Sequence, residues 1–393
     1  MAKLLCNPFF VYVTSFALVF AVYSLGWSNL YPSLSFPLVL FFFMTFIVSC
    51  FFGFVVHVLR RIEYKEITWN ERTIFYLLLV LIGYLAEFVY NKGVPLQMLL
   101  QGVEYDYTSF GIPTFHVFLV TFSSFLSVYI FHQLCSDFNK KRLIYFLLSV
   151  IPPVLIISRG TLFMMLTSCL FVYLLSIRTI KLKIVLGIFF LVLLVFYLFG
   201  VMGNLRQSKG VSTTSEIMLE TSMATNSFKN SFVPKEFIWS YLYISSPLAN
   251  LQNATNHAQV EYSFGSFLNY EILPDFISKR IEKISTVQKK DVPRIAGWLT
   301  VSTFYARSYV FLGWIGILTI FVFFIGTTFT YIFLLRKGSK YYVTGLSILN
   351  TLVLFNTFDN MYAFTGLNFQ LIYPLLFSVI ELRKFTWGNF KLN

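Results

Sequence analysis

Long apolar runs, closely spaced along the chain, restrict this sequence to a membrane fold. A transmembrane helix needs about 20 consecutive apolar residues to cross roughly 30 Å of hydrocarbon, and several runs here approach or exceed that length. Charged residues make up only 12% of the chain, whereas about one quarter of an average soluble domain is charged. The sequence therefore predicts an all-α, polytopic membrane protein.

The apolar runs predict ten transmembrane helices in two groups. Seven fall within residues 1–202 and three within residues 308–393, while residues 203–307 form one long hydrophilic stretch, which we expect to be a separate loop domain. The predicted helices are Phe9–Trp27, Phe36–Leu59, Thr73–Tyr90, Pro113–Cys135, Leu143–Ile157, Thr161–Ile177, Ile184–Met202, Ser308–Leu335, Tyr341–Phe358 and Met361–Leu382.

The distribution of lysine and arginine predicts the orientation. With ten helices both termini lie on one side, and the tails and links of that side are rich in Lys and Arg, whereas the short links of the other side hold only Lys92 and Arg159. Cytoplasmic loops carry this excess, so we expect both termini in the cytoplasm and residues 203–307 outside. The same rule accounts for much of the net charge of +13, and no nucleic-acid partner is predicted.

Arg159 is the first candidate site residue. The apolar runs on either side of Ser158-Arg159-Gly160 are both shorter than a full span, and Pro152-Pro153 disturbs the first of them. We therefore expect this turn at the floor of an outer cavity. An arginine at that depth is costly unless it faces water, a partner or an anionic ligand. The alternative is an anchor that reaches the lipid head groups.

Three further arginines are predicted at the same outer face. Arg206 follows the seventh helix, after Gly200 and Gly203, and Arg294 and Arg307 precede the eighth. Arginine binds phosphate through two parallel hydrogen bonds, which lysine cannot do. The cluster suits a phosphate or pyrophosphate on a lipid, although each residue alone is also compatible with a solvated loop charge.

Acidic residues and a histidine on the outer side are candidate bases for a sugar hydroxyl. Glu87 and Asp359 lie near helix ends, and His257 and Glu261 are four residues apart, so they share a face if that stretch is helical. Each also has a plausible structural role. Glu104 and Asp106 form a weak candidate for a divalent metal site.

Residues 274–287 have the spacing of an amphipathic helix. Apolar residues recur every three or four positions, and Lys279, Arg280 and Lys283 occupy much of the remainder. This helix either packs on the core of the loop or lies against anionic lipid head groups.

Several short motifs resemble a known family. They are Ser158-Arg159-Gly160, Gly203-x-x-Arg206, the stretch from Tyr243 to Leu251, and Tyr309-x-x-x-Gly313-x-x-Gly316. Together with about ten helices and a large late loop, they make the chain similar to the Wzy-type O-antigen or oligosaccharide repeat-unit polymerases of bacterial envelopes.

The resemblance implies a glycosyltransferase of GT-C-like architecture in the bacterial inner membrane. Its substrates would be oligosaccharide repeat units on undecaprenyl pyrophosphate, polymerised on the periplasmic face without a cofactor, with a chain-length regulator as a candidate partner. For this activity, the candidate catalytic residues are Arg159, Arg206, His257 and Glu261, and the candidate substrate-binding residues are Arg294, Arg307, Glu87 and Asp359.

Two related functions remain open at this point. An O-antigen ligase shares the architecture and the lipid-pyrophosphate donor but uses a different acceptor. A flippase for lipid-linked oligosaccharides is a transporter, and transporters commonly show internal repeats, which we do not find here. A plain structural or channel protein offers no reason for four arginines at one face.

Overall fold

The computed structural model describes residues 5–102, 110–177, 182–207, 214–285 and 287–390. In this part the chain is helical, and its only strand-like contact is an isolated bridge between Ser28 and Ala224. Residues up to 207 form α1 (Pro8–Tyr23), α2 (Phe36–Leu59), α3 (Arg72–Tyr90), α4 (Pro95–Leu100), α5 (Phe115–Ser136), α6 (Lys140–Leu155), α7 (Arg159–Ser176) and α8 (Leu182–Gln207).

The remaining helices belong to the long hydrophilic stretch and to the C-terminal part. The first group is α9 (Thr214–Thr221), α10 (Asn226–Lys229), α11 (Phe237–His257), α12 (Phe264–Phe267), a π-helical turn (Leu268–Ile272) and α13 (Asp275–Glu282). The second is α14 (Ala306–Leu334), α15 (Tyr342–Phe355), α16 (Thr365–Asn368), a 3-10 turn (Phe369–Leu371) and α17 (Ile372–Phe390). The predicted all-helical fold is confirmed, and the last predicted helix is divided between α16, the 3-10 turn and α17.

Six helices in the described part are long and apolar enough to cross a membrane. They are α2, α3, α5, α7, α14 and the stretch Thr365–Leu382. Helices α1 and α15 and residues 189–201 of α8 are apolar but shorter. The chain is thus a polytopic helical membrane protein, and ten spans remain a prediction.

One end of the bundle is tied together by basic links, and we call it the basic end. Arg60 donates from Nη1 to the carbonyl of Phe333 at 2.6 Å, and Lys337 lies 3.5 Å from the carboxylate of Glu63. The link after α2 and the link after α14 therefore meet at one end. The other ends of α2 and α14 lie at the opposite end of the bundle, which we call the loop end.

The hydrophilic stretch packs on the membrane helices over much of its length. Helix α11 contacts α1, α8 and α14, and Leu248 and Leu251 belong to the same buried core as the side chains of the bundle. Asn250 donates to the carbonyls of Leu299 at 2.8 Å and Val301 at 2.7 Å, so a buried amide holds the later part of the stretch in place. The packing of α11 is therefore continuous with that of the bundle.

A break in α14 connects it to the preceding chain. Gly313 has φ of 61°, which is outside the helical range and suits glycine. Next to the break, the carbonyl of Val310 accepts from the Glu261 N–H at 3.0 Å, so the backbone groups are satisfied by a neighbouring segment. A Cβ on Gly316 would lie 2.0 Å from the carbonyl oxygen of Ser308. These contacts give a physical reason for both glycines of the Tyr309-x-x-x-Gly313-x-x-Gly316 motif.

Candidate functional site

The site is centred on a buried carboxylate that lies outside the membrane-spanning helices. Glu271 belongs to the π-helical turn and is fully buried; such turns are frequent at functional sites. Ser308 Oγ donates to Glu271 Oε2 at 2.9 Å, and Asn360 Nδ2 donates to the same oxygen at 3.1 Å. Asn360 also donates to the Glu271 carbonyl at 2.7 Å. Two segments that are distant in the sequence therefore fix this carboxylate.

Arg307 lies between Glu271 and a second carboxylate. Its Nη1 is 3.6 Å from Glu271 Oε1 and 4.0 Å from Asp359 Oδ1. The side chains are 0%, 20% and 51% exposed for Glu271, Arg307 and Asp359. The acid–arginine cluster formed by these three residues thus extends from the interior to the surface, with the arginine in the middle.

The electrostatics of the cluster are set by burial. Loss of solvent raises the pKa of Glu271 from 4.5 to about 7, although the nearby Arg307 charge acts in the opposite direction. In the described part of the chain, Glu271 Oε1 and Arg307 Nε have no hydrogen-bond partner despite being buried. Unpaired buried polar atoms are rare in proteins and require an explanation. A polar ligand that both donates and accepts hydrogen bonds would satisfy these two atoms.

Two further ion pairs come from the chain between α11 and α14. Lys290 Nζ is 3.0 Å from Glu261 Oε1, and Arg294 Nη2 is 3.8 Å from Asp291 Oδ1. Asp291 also interacts electrostatically with Arg307. Arg294 is therefore linked to the acid–arginine cluster through Asp291.

The structure brings some of the predicted site residues together. Arg307 and Asp359 share the cluster, and Arg294 is connected to it. His257 and Glu261 do not share a helical face, because α11 ends at His257 and the Glu261 N–H bonds to the carbonyl of Val310. His257 is exposed, and its Nδ1 lies 3.1 Å from the side-chain oxygen of Asn253.

Glu87 is not part of the acid–arginine cluster but joins α3 to α5. It is fully buried, its Oε2 lies 2.8 Å from His116 Nδ1, and its Oε1 accepts from the Ile112 N–H at 3.3 Å. The sequence analysis identified Glu87 but not its histidine partner.

Of the remaining predicted site residues, the structure describes some fully, some only in their backbone and some not at all. Arg159 is the first residue of α7 and is exposed. Arg206 is in the last turn of α8, and its side chain lies outside the described part. Glu104 and Asp106 lie outside the described residues altogether. Among the residues that are described, no group of three or more His, Cys, Asp or Glu side chains is placed to hold a metal ion.

Sequence reasoning missed Glu271, Ser308 and Asn360. A signal for Glu271 was present, because it is the only charged residue between Phe264 and Pro274. A lone charge in an apolar stretch is expected to be paired or functional, since burying it unpaired is costly. Ser308 and Asn360 had no comparable signal, because their importance depends on contacts between distant segments.

Comparison with known proteins does not assign this arrangement to a family. No protein-family model, no curated protein and no solved structure matches the chain.

Proposed function

We propose that this protein is a membrane glycosyltransferase that polymerises undecaprenyl-pyrophosphate-linked oligosaccharide repeat units into O-antigen or a related surface polysaccharide. The observation that carries the proposal is the acid–arginine cluster at the loop end, in which the partly buried Arg307 has an unpaired Nε within the described part of the chain. Arginine is suited to bind a pyrophosphate leaving group. The resemblance of the short sequence motifs to repeat-unit polymerases supports the same function.

The proposed orientation places ten spans in the bacterial inner membrane with both termini in the cytoplasm. Arg60, Lys65 and Lys337 all make contacts at the basic end, and such a concentration of positive charge favours the cytoplasmic side. The loop end with the acid–arginine cluster would then face the periplasm, in a GT-C-like arrangement.

The proposed chemistry is a displacement at the anomeric carbon of the donor sugar. The acceptor hydroxyl oxygen forms a bond to this carbon while the bond from the carbon to the pyrophosphate oxygen breaks, and the electron pair leaves with the pyrophosphate. Arg307 would stabilise that charge as it develops, with Arg294 as a second cation. Asp359, the exposed carboxylate of the cluster, would accept the hydroxyl proton.

Glu271 has a positioning role in this mechanism. Because it is fully buried and held by Ser308 and Asn360, it provides a fixed negative charge against which the Arg307 guanidinium is oriented. The carboxylate thereby prepares the arginine for an anionic ligand, and pre-organised charge of this kind contributes strongly to catalysis.

The function can be tested by deleting the gene and measuring how many repeat units the envelope glycan of the cells carries. We expect a single repeat unit attached to the lipid core, because flipping and attachment would continue without polymerisation. Bare core with no repeat unit would contradict the proposal and would favour a ligase or a flippase. Complementation with the wild-type chain should restore long polymers.

A further inference from the structure

A cavity of about 610 Å³ lies at the loop end, apart from the acid–arginine cluster. Its walls come from the chain before and within α5, from the turn between α6 and α7, from α13 and from the start of α16. None of the residues of the acid–arginine cluster lines it. The cavity therefore calls for an explanation of its own.

One wall of the cavity is cationic. Helix α13 contributes Lys279, Arg280 and Lys283. Arg280 is held in place, because its guanidinium lies 3.8 Å from the centre of the Phe276 ring and its Nη2 donates to Thr114 Oγ1 at 3.0 Å. Lys279 is 74% exposed and only 4.0 Å from Asp275 Oδ2, which makes a weak pair in water. The wall thus combines one cation held by neighbouring side chains with two exposed lysines.

The acid on the same helix is already engaged. Asp275 Oδ1 accepts from the Thr365 N–H at 3.0 Å and from the Thr365 hydroxyl. The Phe276 N–H donates to Thr365 Oγ1 at 2.9 Å, so the start of α13 and the start of α16 cap each other. Asp275 therefore offsets the cations of α13 only in part, and the wall suits an anion.

A histidine adds to the polar lining. His116 lines the cavity, and its Nδ1 lies 2.8 Å from the buried carboxylate of Glu87. With Nδ1 engaged in this way, Nε2 is the ring nitrogen that a ligand can use. Glu87 thereby orients the His116 ring at this cavity, a role that is separate from the acid–arginine cluster.

The turns that enter α5 and α7 are strained and lack side-chain caps. Thr114 has φ of 71° and Ile157 has φ of 57°, values that β-branched residues rarely adopt. Both residues line the cavity. The first turns of α5 and α7 receive no side-chain hydrogen bond from their N-cap residues, Thr114 and Ser158, so their N–H groups add to the positive potential. Strain of this kind is often retained where a ligand binds.

The rest of the wall is apolar and continues along the membrane helices. Val117 and Val120 of α5 line the cavity together with Ile156. Two residues beyond α13, outside the cavity lining, Ile284 is 87% exposed. A soluble anion would not be stabilised by contact with these apolar surfaces. A lipid can place its head group against the cations and its chains against the apolar side chains.

We propose that this cavity binds the phosphate head of an anionic membrane lipid. Arg280 and Lys279 of α13 contact the phosphate, and the lipid chains lie against α5 and the end of α6. The proposal extends beyond glycosyl transfer and does not rest on it, since it concerns binding alone.

The test uses the full-length protein in nanodiscs and native mass spectrometry of the lipids that remain bound. The probes are phosphatidylglycerol, phosphatidylcholine and inorganic phosphate as a soluble competitor. The test variant combines Lys279→Gln, Arg280→Gln and Lys283→Gln. The matched control combines Arg61→Gln, Lys140→Gln and Lys141→Gln, which removes three exposed cations at the basic end.

We expect the wild-type chain to retain phosphatidylglycerol in preference to phosphatidylcholine. Retention should fall by about tenfold or more in the α13 variant and stay unchanged in the control, because each Lys or Arg near an anionic lipid head contributes to affinity. Inorganic phosphate should not displace the lipid. Equal retention in the α13 variant, no preference between the two lipids, or displacement by inorganic phosphate would each overturn the proposal.

A second variant keeps the test valid if the triple variant folds poorly. Arg280→Lys keeps the positive charge but loses the fork geometry that reaches Thr114. We expect a several-fold loss of phosphatidylglycerol at unchanged thermal stability. Unaltered lipid retention in this variant would count against a defined head-group contact.

Discussion

Arg60 at the basic end and Arg307 at the loop end have different kinds of partner. At the basic end, Arg60 donates to the carbonyls of Phe333 and Leu335, which lie where α14 ends, and Arg336 donates to the Ser378 carbonyl at 3.3 Å. The last carbonyls of a helix have no partner within it. Arg60 therefore completes hydrogen bonding that α14 leaves open, and it connects two helices.

The partners of Arg307 at the loop end are two carboxylates, and they satisfy it only in part. Its Nη1 is 3.6 Å from one acid and 4.0 Å from another, and its Nε has no hydrogen bond in the described part of the structure. The difference shows that the partner of an arginine is more informative than the number of arginines at a face. We therefore expect Arg60 to act in stability, and we expect Arg307 to be the arginine that contacts a ligand.

The largest expected effect is the loss of glycan transfer on replacing Arg307, with the replacement of Arg60 as the comparison. Arg307→Ala should lower glycan transfer about a hundredfold, because it removes one cation from the developing charge, worth roughly 3 kcal/mol. Arg60→Ala should leave transfer nearly unchanged and lower the free energy of unfolding by about 1–2 kcal/mol through lost hydrogen bonds. Transfer in proteoliposomes and thermal unfolding in detergent measure the two effects.

Arg307→Lys serves as the control for charge alone. It keeps the positive charge but loses the fork geometry, so we expect only partial recovery of transfer. The comparison between the two ends breaks down if Arg60→Ala, with unchanged stability, loses as much transfer as Arg307→Ala.

The next largest effect is on the pH dependence. Glu271 has a pKa raised to about 7 by burial, so it loses its charge as the pH falls through this value. We expect wild-type transfer to decline by up to about tenfold below pH 7, because Arg307 then lacks the carboxylate that orients it. In Glu271→Gln the profile should be flat in this range. A wild-type decline that persists in Glu271→Gln would assign the titration to another group.

The raised pKa of Glu271 also predicts that the stability of the folded protein falls as the pH rises, whereas transfer increases. The folded-state pKa of Glu271 lies above its ordinary value of 4.5, so its contribution to stability is fully present below about pH 4.5 and is lost as the pH rises through about 7. Relative to Glu271→Gln, the wild-type chain should therefore become less stable between those values. Thermal unfolding of both chains across this pH range measures the difference.

The smallest expected effect comes from removing a hydrogen bond that holds the Glu271 carboxylate in place. Ser308→Ala removes one of two hydrogen bonds to Glu271 Oε2 and leaves that of Asn360. We expect a several-fold loss of transfer, corresponding to about 1 kcal/mol. Thr319→Ala is the matched control on α14, because this half-buried residue bonds through its hydroxyl to the Ile315 carbonyl at 2.8 Å, within the same helix and away from Glu271. An equal loss in both variants would indicate a general effect on α14.

The apolar helices were predictable because membrane-spanning segments are recognised by local composition. The prediction of Phe36–Leu59, for example, coincides with α2. Two of the three residues of the acid–arginine cluster were also predicted, since Arg307 and Asp359 flank apolar segments. Glu271 was not, because its importance depends on a π-helical turn and on Ser308 and Asn360, which are distant in sequence.

The long hydrophilic stretch was harder to predict for a related reason. Its composition is that of a loop, and the sequence analysis therefore treated residues 203–307 as a domain of their own. Helix α11 nevertheless packs against α1, α8 and α14, because its polar residues find partners there, as Asn250 does with the carbonyls of Leu299 and Val301. Side-chain polarity alone does not reveal whether such partners exist.

The proposed polymerisation can be measured with purified protein in proteoliposomes that carry the lipid-pyrophosphate-linked repeat unit. We expect a ladder of products with two or more repeat units on one lipid, and the release of undecaprenyl pyrophosphate. The ladder should disappear with Arg307→Ala and persist with Arg60→Ala. Repeat units that cross the bilayer without being joined, or that are transferred only when a lipid-core acceptor is added, would contradict the proposed polymerisation.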